Sequence, residues 1–317
     1  MRPIRFVPQN TRFDFVRWRL VAFVFTAIIL LASIGGLVFK GLNLGIDFEG
    51  GLLMEVRSEE TVDIGEVRSQ LGALGLEGIN LQEFGNNRDL LIRVQLPEEG
   101  GEEAQQAVVD QIRTTLGEGY DYRRVEFVGP TVGAELLRDG ILATGLAVLA
   151  IAAYVAFRFE WQFGVSALVA TFHDVFTAMG LFAVLGLEFD MTAIAALLTL
   201  AGYSINDTVV VFDRIRESLR KQKKADLKTL INASLNETLS RTILTGGTTL
   251  VAVLSLLFFG GPTLFNFSLA LAWGIVIGTF SSIFVAAALL LYMPPVGGRA
   301  TGLETDDAGP APATVKE

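Results

Sequence analysis

The sequence contains no cysteine and only one histidine, His173. Without cysteine neither a disulfide nor a thiolate metal site can form, and one histidine excludes a multi-histidine metal site within one chain. A nucleotide-binding P-loop, an H-E-x-x-H zinc motif and a G-x-S-x-G nucleophile elbow are absent as well. We therefore predict no metal, no cofactor and no enzymatic chemistry. The chain therefore brings no ATP chemistry of its own.

Charge is also scarce, because charged residues make up 19% of the 317 residues and hydrophobic residues 51%. A soluble protein would usually have about a quarter of its residues charged. About 20 successive apolar residues span a bilayer core, so long apolar runs indicate membrane helices. Six such runs are present: Leu20–Phe39, Ile141–Phe157, Gly164–Leu187, Met191–Phe212, Thr242–Phe259 and Leu264–Tyr292. They predict a membrane α-helical protein with six transmembrane helices, the first a retained signal anchor.

The basic residues indicate how the chain is oriented. Five arginines and one acid lie in residues 1–19, and the loop after the fourth run is also basic between 214 and 228. With six spans both segments fall on one side, which the positive-inside tendency identifies as the cytoplasm. Residues 293–317 are rich in proline, glycine and small residues, so we predict a disordered cytoplasmic tail there. Both termini are thus predicted to be cytoplasmic.

The first two runs are separated by an acidic segment, residues 40–137, with 19 acidic and 8 basic residues. Its pattern predicts an extracytoplasmic α+β domain of ferredoxin-like βαββαβ order, inserted between helices 1 and 2. The predicted strands are 52–58, 79–84, 89–96 and 121–128, and the predicted helices are 61–75, with Thr61 as N-cap, and 102–117. The remaining predicted parts are helix 1 at 20–39 and helices 2–6 at 138–292.

Two carboxylates lie within the apolar runs, where an ionisable side chain indicates function by default. Asp207 lies near the cytoplasmic end of helix 4, and Arg241 opens helix 5 at a comparable depth, so an ion pair between them is geometrically possible. Ser204 and Tyr203 precede Asp207 at spacings that favour a shared helix face, and Asn206 adds polarity. Two simpler readings remain open: Asp207 as a structural link between helices, and Arg241 extending to the interface.

Asp174 is the second carboxylate, near the middle of helix 3 and next to His173. The two side chains are a weaker candidate for proton handling than Asp207. An internal hydrogen-bonded pair, or polar contacts that hold helices together, explains them equally well.

Four strings resemble a known family. GLNLGIDFEGG (41–51) resembles the start of the periplasmic domain in the SecF family, and YSINDTVVVFDRIRE (203–217) resembles its fourth-helix motif. RTILTGGTTLVAVLSLLFFGGP (241–262) and SLALAWGIVIGTFSSIFVA (268–286) resemble its fifth and sixth helices. The strings occur in the family's order over essentially the whole chain except the tail.

The resemblance implies a subunit of the accessory protein-translocation complex of the bacterial cytoplasmic (inner) membrane. This complex uses the proton-motive force late in export and belongs to the resistance-nodulation-division superfamily. The implied partners are SecD, the SecYEG channel with its SecA ATPase, an unfolded exported polypeptide and, as a further candidate, YajC; nucleic acid is not among them. A carboxylate with nearby hydroxyls suits either a proton or sodium, so both stay open as the coupling ion.

The resemblance also assigns residue roles. It implies that Asp207 is the proton-coupling carboxylate and Arg241 the arginine of helix 5. The lesser candidates follow from their positions in the sequence and not from the resemblance: Asp174, His173, Ser204, Tyr203 and Asn206. The resemblance further implies a structural turn, formed by Gly45, Asp47, Gly50 and Gly51. Glu49 stands where the family pattern has threonine. The rival interpretations are half of a small-molecule efflux transporter of the resistance-nodulation-division type and a purely structural scaffold of the translocon.

Overall fold

The computed structural model describes residues 11–76, 78–84, 86–95, 101–222 and 225–294. The predicted tail and the first arginines lie largely outside these ranges. The helices of the membrane part are α1 (Arg19–Phe39), α5 (Pro130–Arg158), α6 (Trp161–Leu185), α7 (Met191–Lys221), α8 (Leu227–Phe259) and α9 (Pro262–Ser281). A π-helical turn (Ser282–Ala286) and the short α10 (Ala287–Leu289) extend α9. Within the described ranges six helices are long and apolar enough to cross a bilayer, as predicted.

The six spans form an inner and an outer set. The inner helices α6, α7 and α9 bury 44–67% of their most apolar stretch inside the chain, whereas α1, α5 and α8 bury 11–17%. Glycine lets the inner helices approach closely: a Cβ on Gly274 of α9 would lie 2.2 Å from Leu200 Cδ1 of α7. The inner three helices therefore form the core, and the outer three present most of their apolar surface outward.

The α+β domain lies between α1 and α5 in the chain. Its elements are β2 (Gly51–Ser58), α3 (Ile64–Gly72), β3 (Asn80–Phe84), β4 (Asn86–Val94), α4 (Gly101–Leu116) and β5 (Tyr120–Val128). The sheet order is β3-β4-β2-β5 with antiparallel neighbours, which confirms the ferredoxin-like order. Alternate residues of β2 and β4 pack against α3 and α4, and this core includes Leu52, Met54, Ile92, Leu71 and Ile112.

Two local predictions were wrong in detail. Thr61 is not the N-cap of α3, because Asp63 accepts the backbone N–H groups of Gly65 and Glu66 at 2.7 and 3.4 Å. The preceding residue Val62 donates its N–H to Asn87 O of β4, so the helix has not yet begun at position 61.

The second membrane helix also begins earlier than its apolar run. α5 starts at Pro130, a favourable first helical residue, eleven positions before the run that begins at Ile141. Its first turns carry Glu135, Arg138 and Asp139. The sequence predicts that the domain ends at residue 137 and therefore includes Glu135, whereas the structure places Glu135 on the same helix as Arg138 and Asp139, which continues into the membrane part.

The domain is attached at one end of the helices, which we call the domain face; α6 ends and α7 begins there. A two-stranded parallel sheet joins β1 (Asn43–Leu44), just after α1, to β6 (Glu188–Phe189), between α6 and α7. The short helix α2 (Ile46–Glu49) follows β1 and leads into β2. The domain is thus fixed to the membrane part by backbone pairing.

Arg93 of β4 adds an ion pair to this junction, with its Nη2 2.7 Å from Glu188 Oε2. Burial raises the pKa of the Glu188 carboxyl above its ordinary value, and the Arg93 guanidinium opposes that rise. Above the junction, the sheet face opposite α3 and α4 bounds a cavity of about 170 Å³, lined by Glu55, Arg124, Glu126, Glu188, Asp190 and Asn266 among others.

Candidate functional site: a polar layer inside the membrane helices

The buried residues of the membrane part form two apolar clusters. One cluster lies toward the domain face and includes Phe182, Ala193 and Leu200, while the other lies toward the opposite face and includes Phe163 and Phe212. Between them lies what we call the polar layer: His173, Asp174, Ser204, Thr208, Ser281 and Ser282, all buried. Buried polar side chains are costly unless they are hydrogen-bonded, and an ionisable side chain inside a membrane helix indicates function by default, so this layer is the candidate functional site.

Asp207 lies at the edge of this layer, between α7 and α8. Thr242 Oγ1 of α8 donates to Asp207 Oδ1 at 2.7 Å. The other oxygen, Oδ2, is buried and has no hydrogen-bond partner among the described residues. At about 1.5 Å per residue, Asp207 is roughly 24 Å along α7 from the domain face. One oxygen of this carboxyl is therefore satisfied, and the other is left free inside the protein.

Arg241 is next to this site but does not pair with it. It immediately precedes Thr242 on α8 and its side chain is exposed. In the part of the chain that the structure describes, no ion pair within 4.0 Å joins Arg241 to a carboxylate. The position agrees with the predicted depth, whereas the contact on Asp207 is made by the neighbouring hydroxyl.

The other residues predicted to lie beside Asp207 point in different directions. Ser204 turns away and donates to Asp174 Oδ2 at 2.5 Å. Asn206 is exposed on the outside of α7. The Tyr203 hydroxyl lies on the α8 side, where a Cβ added to Gly246 would be 3.7 Å from it. The shared helix face predicted for Ser204 and Asp207 is therefore wrong, whereas Tyr203 does face α8.

Asp174 is the centre of the polar layer and is completely buried. Its Oδ1 lies 2.8 Å from His173 Nδ1, and its Oδ2 accepts the hydroxyls of Ser204 at 2.5 Å and Ser281 at 2.7 Å. These contacts join α6, α7 and α9. The layer continues at Thr208 and Ser282, whose hydroxyls are 2.8 Å apart. The internal hydrogen-bonded pair left open by the sequence is present.

Sequence reasoning missed Thr242, Ser281 and Ser282. Each is a hydroxyl inside an apolar run, and Thr242 directly follows the arginine that the sequence singles out. A hydroxyl in a membrane helix usually bonds to its own backbone or to another helix. The available signal was therefore a polar residue at a depth comparable to that of a buried carboxylate on another helix.

The predicted turn, residues Gly45 to Gly51, lies at the junction of domain and membrane part. The backbone N–H of Met191, the first residue of α7, donates to Asp47 Oδ2 at 2.9 Å. Gly50 and Gly51 have φ values of 74° and 118°, which favour glycine, and a Cβ on Gly51 would lie 2.7 Å from Val94 O. Glu49 is exposed, so its side chain does not contribute to the interior of the turn.

No group of three or more histidine, cysteine or acidic side chains within the described ranges is arranged to hold a metal ion. The polar layer contains carboxyl, imidazole and hydroxyl groups, which are side chains that can bind or pass on a proton.

Comparison with known proteins identifies the family. Residues 108–295 match the family described as protein export membrane protein SecD/SecF, C-terminal, and residues 35–62 match the SecD/SecF GG motif. The protein translocase subunit SecF of Rickettsia prowazekii is 44% identical over 91% of this chain and 93% of its own length. The corresponding protein of Rickettsia bellii is 43% identical over 91% of this chain and 95% of its own length.

Solved structures agree with this result. The crystal structure of SecDF, a translocon-associated membrane protein from Thermus thermophilus, superposes with a TM-score of 0.83 at 36% identity and covers 92% of this chain. SecDF in a super-membrane-facing form superposes with a TM-score of 0.65 at 37% identity, again over 92% of this chain. This chain spans only 39–40% of the length of those SecDF chains. The chain belongs to the SecF branch of the SecD/SecF family of protein export membrane proteins.

Proposed function

We propose that the chain is a proton-driven subunit of a protein-translocation complex. It promotes the late movement of unfolded polypeptides out of the SecYEG channel after SecA has started their export. Asp207 takes up and releases the proton, and it does so without covalent chemistry. The relatives named protein translocase subunit SecF, together with the matching SecDF structures, support this assignment.

The observation that carries the proposal is the incomplete bonding of Asp207. Its Oδ2 is buried without a hydrogen-bond partner among the described residues, while Oδ1 accepts Thr242. An unpaired charge inside a membrane costs several kcal/mol, whereas a protonated carboxyl is neutral. Release of the proton then requires a counter-charge or water to approach Oδ2, which couples protonation to movement of α7 and α8. Arg241, adjacent to Thr242, is the nearest candidate for that counter-charge.

The exposed surface of the outer helices supports a second subunit. α8 is largely exposed, and Asn206 and Arg241 are exposed polar residues near Asp207. The SecDF chains that contain a region similar to this chain are more than twice as long. We propose that SecD covers this surface, with YajC as a further candidate partner.

The proposed location is the bacterial cytoplasmic membrane, with both termini inside. Arg214, Arg216 and Arg220 lie near the end of α7 away from the domain face, where the positive-inside tendency places the cytoplasm. The domain face, with its acidic α+β domain, is then periplasmic and meets the emerging polypeptide. A proton entering from the periplasm would pass the domain face before it reaches Asp207.

The test is Asp207→Asn, which keeps the size of the side chain and removes the titrating group. Membrane vesicles containing this chain and its SecD partner are assayed for export of a secreted precursor, with and without a proton gradient. We expect the variant to lose the gradient-dependent stimulation almost completely. The matched control is Asp213→Asn, an exposed acid on the same helix whose ion pair with Arg158 is long at 3.8 Å.

Normal gradient-dependent export by Asp207→Asn, at equal protein levels, would refute the proton-carrying role. A second arm replaces the proton gradient by a sodium gradient. Stimulation that follows sodium and disappears in Asp207→Asn would overturn the choice of ion while keeping the carboxylate. We expect Asp213→Asn to behave like the unmodified chain in both arms.

A further inference from the structure

The bonding of Asp174 differs from that of Asp207 and indicates its charge. Ser204 and Ser281 donate to Oδ2, and His173 Nδ1 lies 2.8 Å from Oδ1. An ionised carboxylate is an acceptor only, so three donors on its two oxygens match the ionised form. His173 Nδ1 then carries the hydrogen that it donates to Oδ1.

That tautomer leaves the other ring nitrogen of His173 with a lone pair. Nε2 is buried, and none of the described residues forms a hydrogen bond with it. The whole ring is 3% exposed. In the polar layer, Nε2 is therefore a basic atom without a partner, fixed by a carboxylate on the far side of the same ring.

The charge of the pair favours a function for this lone pair. With a neutral imidazole the pair carries a net charge of −1 deep inside the membrane part. When Nε2 binds a proton the ring becomes an imidazolium, and its charge cancels that of Asp174. A buried ion pair with good hydrogen bonds is more favourable than a single buried charge.

The neighbouring helices offer no other buried cation to balance Asp174. α9 and the following π-helical turn contain no titratable side chain, and α1 contains only Arg19, at its first residue. The titratable groups of α5 lie near its two ends: Glu135, Arg138, Asp139, Tyr154 and Arg158. α7 contributes Tyr203 and Asp207 at this depth, and both face α8.

The backbone adds an independent indication. The π-helical turn begins at Ser282, directly after Ser281, which donates to Asp174. Single π-helical turns within α-helices occur frequently at functional sites. Here the turn places Ser281 on Asp174 and Ser282 on Thr208, so the irregularity in α9 lies at the polar layer.

We propose that His173 and Asp174 form a second proton-binding site, in which His173 Nε2 takes up the proton and Asp174 stays ionised. The site lies roughly 17 Å along α6 from the domain face, and Asp207 lies roughly 24 Å along α7 from it. His173 therefore lies nearer to the domain face than Asp207 does. Only the use of this proton in translocation rests on the proposed function, because binding at Nε2 does not depend on it.

Because His173 is the only histidine, isotope-labelled histidine reports this site alone in the full chain. Ring-nitrogen NMR of the chain in lipid bilayers should show a protonated Nδ1 and a bare Nε2 at alkaline pH. Acidification should protonate Nε2 in a single step while Nδ1 keeps its hydrogen. A protonated Nε2 with a bare Nδ1 at alkaline pH would overturn the proposal, and so would an Nε2 that stays bare at every pH at which the chain stays folded.

Two variants test the assignment further. Asp174→Asn removes the balancing charge, so we expect most of the protonated form to be lost at a pH where the unmodified ring is fully protonated. Asp207→Asn should leave the titration of His173 unchanged. Loss of the titration in Asp207→Asn would show one coupled site and contradict a second one.

Ser281→Ala and Ser166→Ala form a matched pair for the hydroxyl contacts. Both serines are completely buried, but only Ser281 donates to Asp174. We expect Ser281→Ala to change the pH at which His173 Nε2 becomes protonated, and Ser166→Ala to leave that pH unchanged. Equal changes in the two variants would show that loss of packing causes the effect, and would refute a role for the hydrogen bond from Ser281 to Asp174. The NMR readout does not involve export, so it stays informative even if Asp207 proves unimportant for translocation.

Discussion

The two carboxylates inside the membrane helices differ in how completely they are bonded. Asp174 lies between α6, α7 and α9, is fully buried and has a hydrogen-bond partner on each oxygen. Asp207 lies between α7 and the mostly exposed α8, and only one of its oxygens is bonded. They are offset by only roughly 7 Å along the helices.

The difference shows how one bundle can use the same side chain in two ways. A carboxylate with all its acceptors satisfied has a fixed position and a fixed charge, and it can orient a neighbouring imidazole. A carboxyl with a free oxygen changes its bonding when a proton or a partner arrives. The first suits a rigid core and the second suits a moving boundary between helices.

The largest expected effect comes from truncating Asp174, and truncating Asp207 provides the comparison. Asp174→Ala leaves Ser204, Ser281 and His173 without their shared acceptor, and each lost interhelical bond costs about 0.6 to 2 kcal/mol. We expect the free energy of unfolding to fall by roughly 2 kcal/mol or more. Asp207→Ala loses one hydrogen bond and should cost about 1 kcal/mol. Thermal unfolding of both variants in one detergent measures the difference, and equal losses would remove the distinction.

A smaller effect is expected from the hydroxyl donors. Ser281→Ala removes one of three donors to Asp174, and Thr242→Val removes the hydroxyl donor to Asp207 with little change in shape. Each should lower the free energy of unfolding by about 1 kcal/mol. Thr242→Val should also change the pH profile of gradient-dependent export. A Thr242→Val protein with an unchanged profile would show that the hydroxyl does not act through Asp207.

The smallest effect concerns a third acid, Glu188, which lies outside the membrane helices and has a cationic partner, Arg93. Its pKa is raised by burial, so the folded state holds this proton more tightly than the unfolded chain. The stability that Glu188 contributes is therefore complete below its unfolded pKa of about 4.3 and is lost as the pH rises through its folded value. Glu188→Gln should remove this dependence.

We expect the Tm difference between Glu188→Gln and the unmodified chain to grow in favour of the variant as the pH rises from about 4.3 toward neutrality. The opposite trend would show that the ion pair with Arg93 lowers the pKa of Glu188 by more than burial raises it. The control is Asp213→Asn, which alters an exposed acid far from the junction with Arg93.

The fold could largely be predicted from the sequence, because long apolar runs and regular alternation are strong signals. The start of α5 could not, since Glu135, Arg138 and Asp139 have the composition of the domain although the helix begins at Pro130. The sequence predicts Thr61 as the N-cap of α3, but Asp63 is a capping residue type as well. The bonds from the backbone N–H groups of Gly65 and Glu66 identify Asp63 as the cap.

The site was predicted in part. The depth of Asp207 follows from counting along one helix, but its partner depends on how α8 is rotated, which an almost uniformly apolar helix does not reveal. Ser204 and Asp207 are three residues apart, which is about 300° around the helix, so they point in directions that differ by about 60°. That angle is enough for Ser204 to meet α6 while Asp207 meets α8.

The attachment of α7 has a mechanical consequence. The first residue of this 31-residue helix is fixed to the domain through Asp47, and Asp207 lies sixteen positions further along the same unbroken helix. The helix is then a lever whose pivot is at Met191 and whose arm to Asp207 is roughly 24 Å. A tilt of about 5° about that pivot displaces Asp207 by roughly 2 Å, similar in size to the helix shifts that switch packed interfaces. Coupling between two sites is reciprocal. If proton binding at Asp207 changes the position of the domain, a polypeptide that pulls on the domain should change the affinity of Asp207 for the proton.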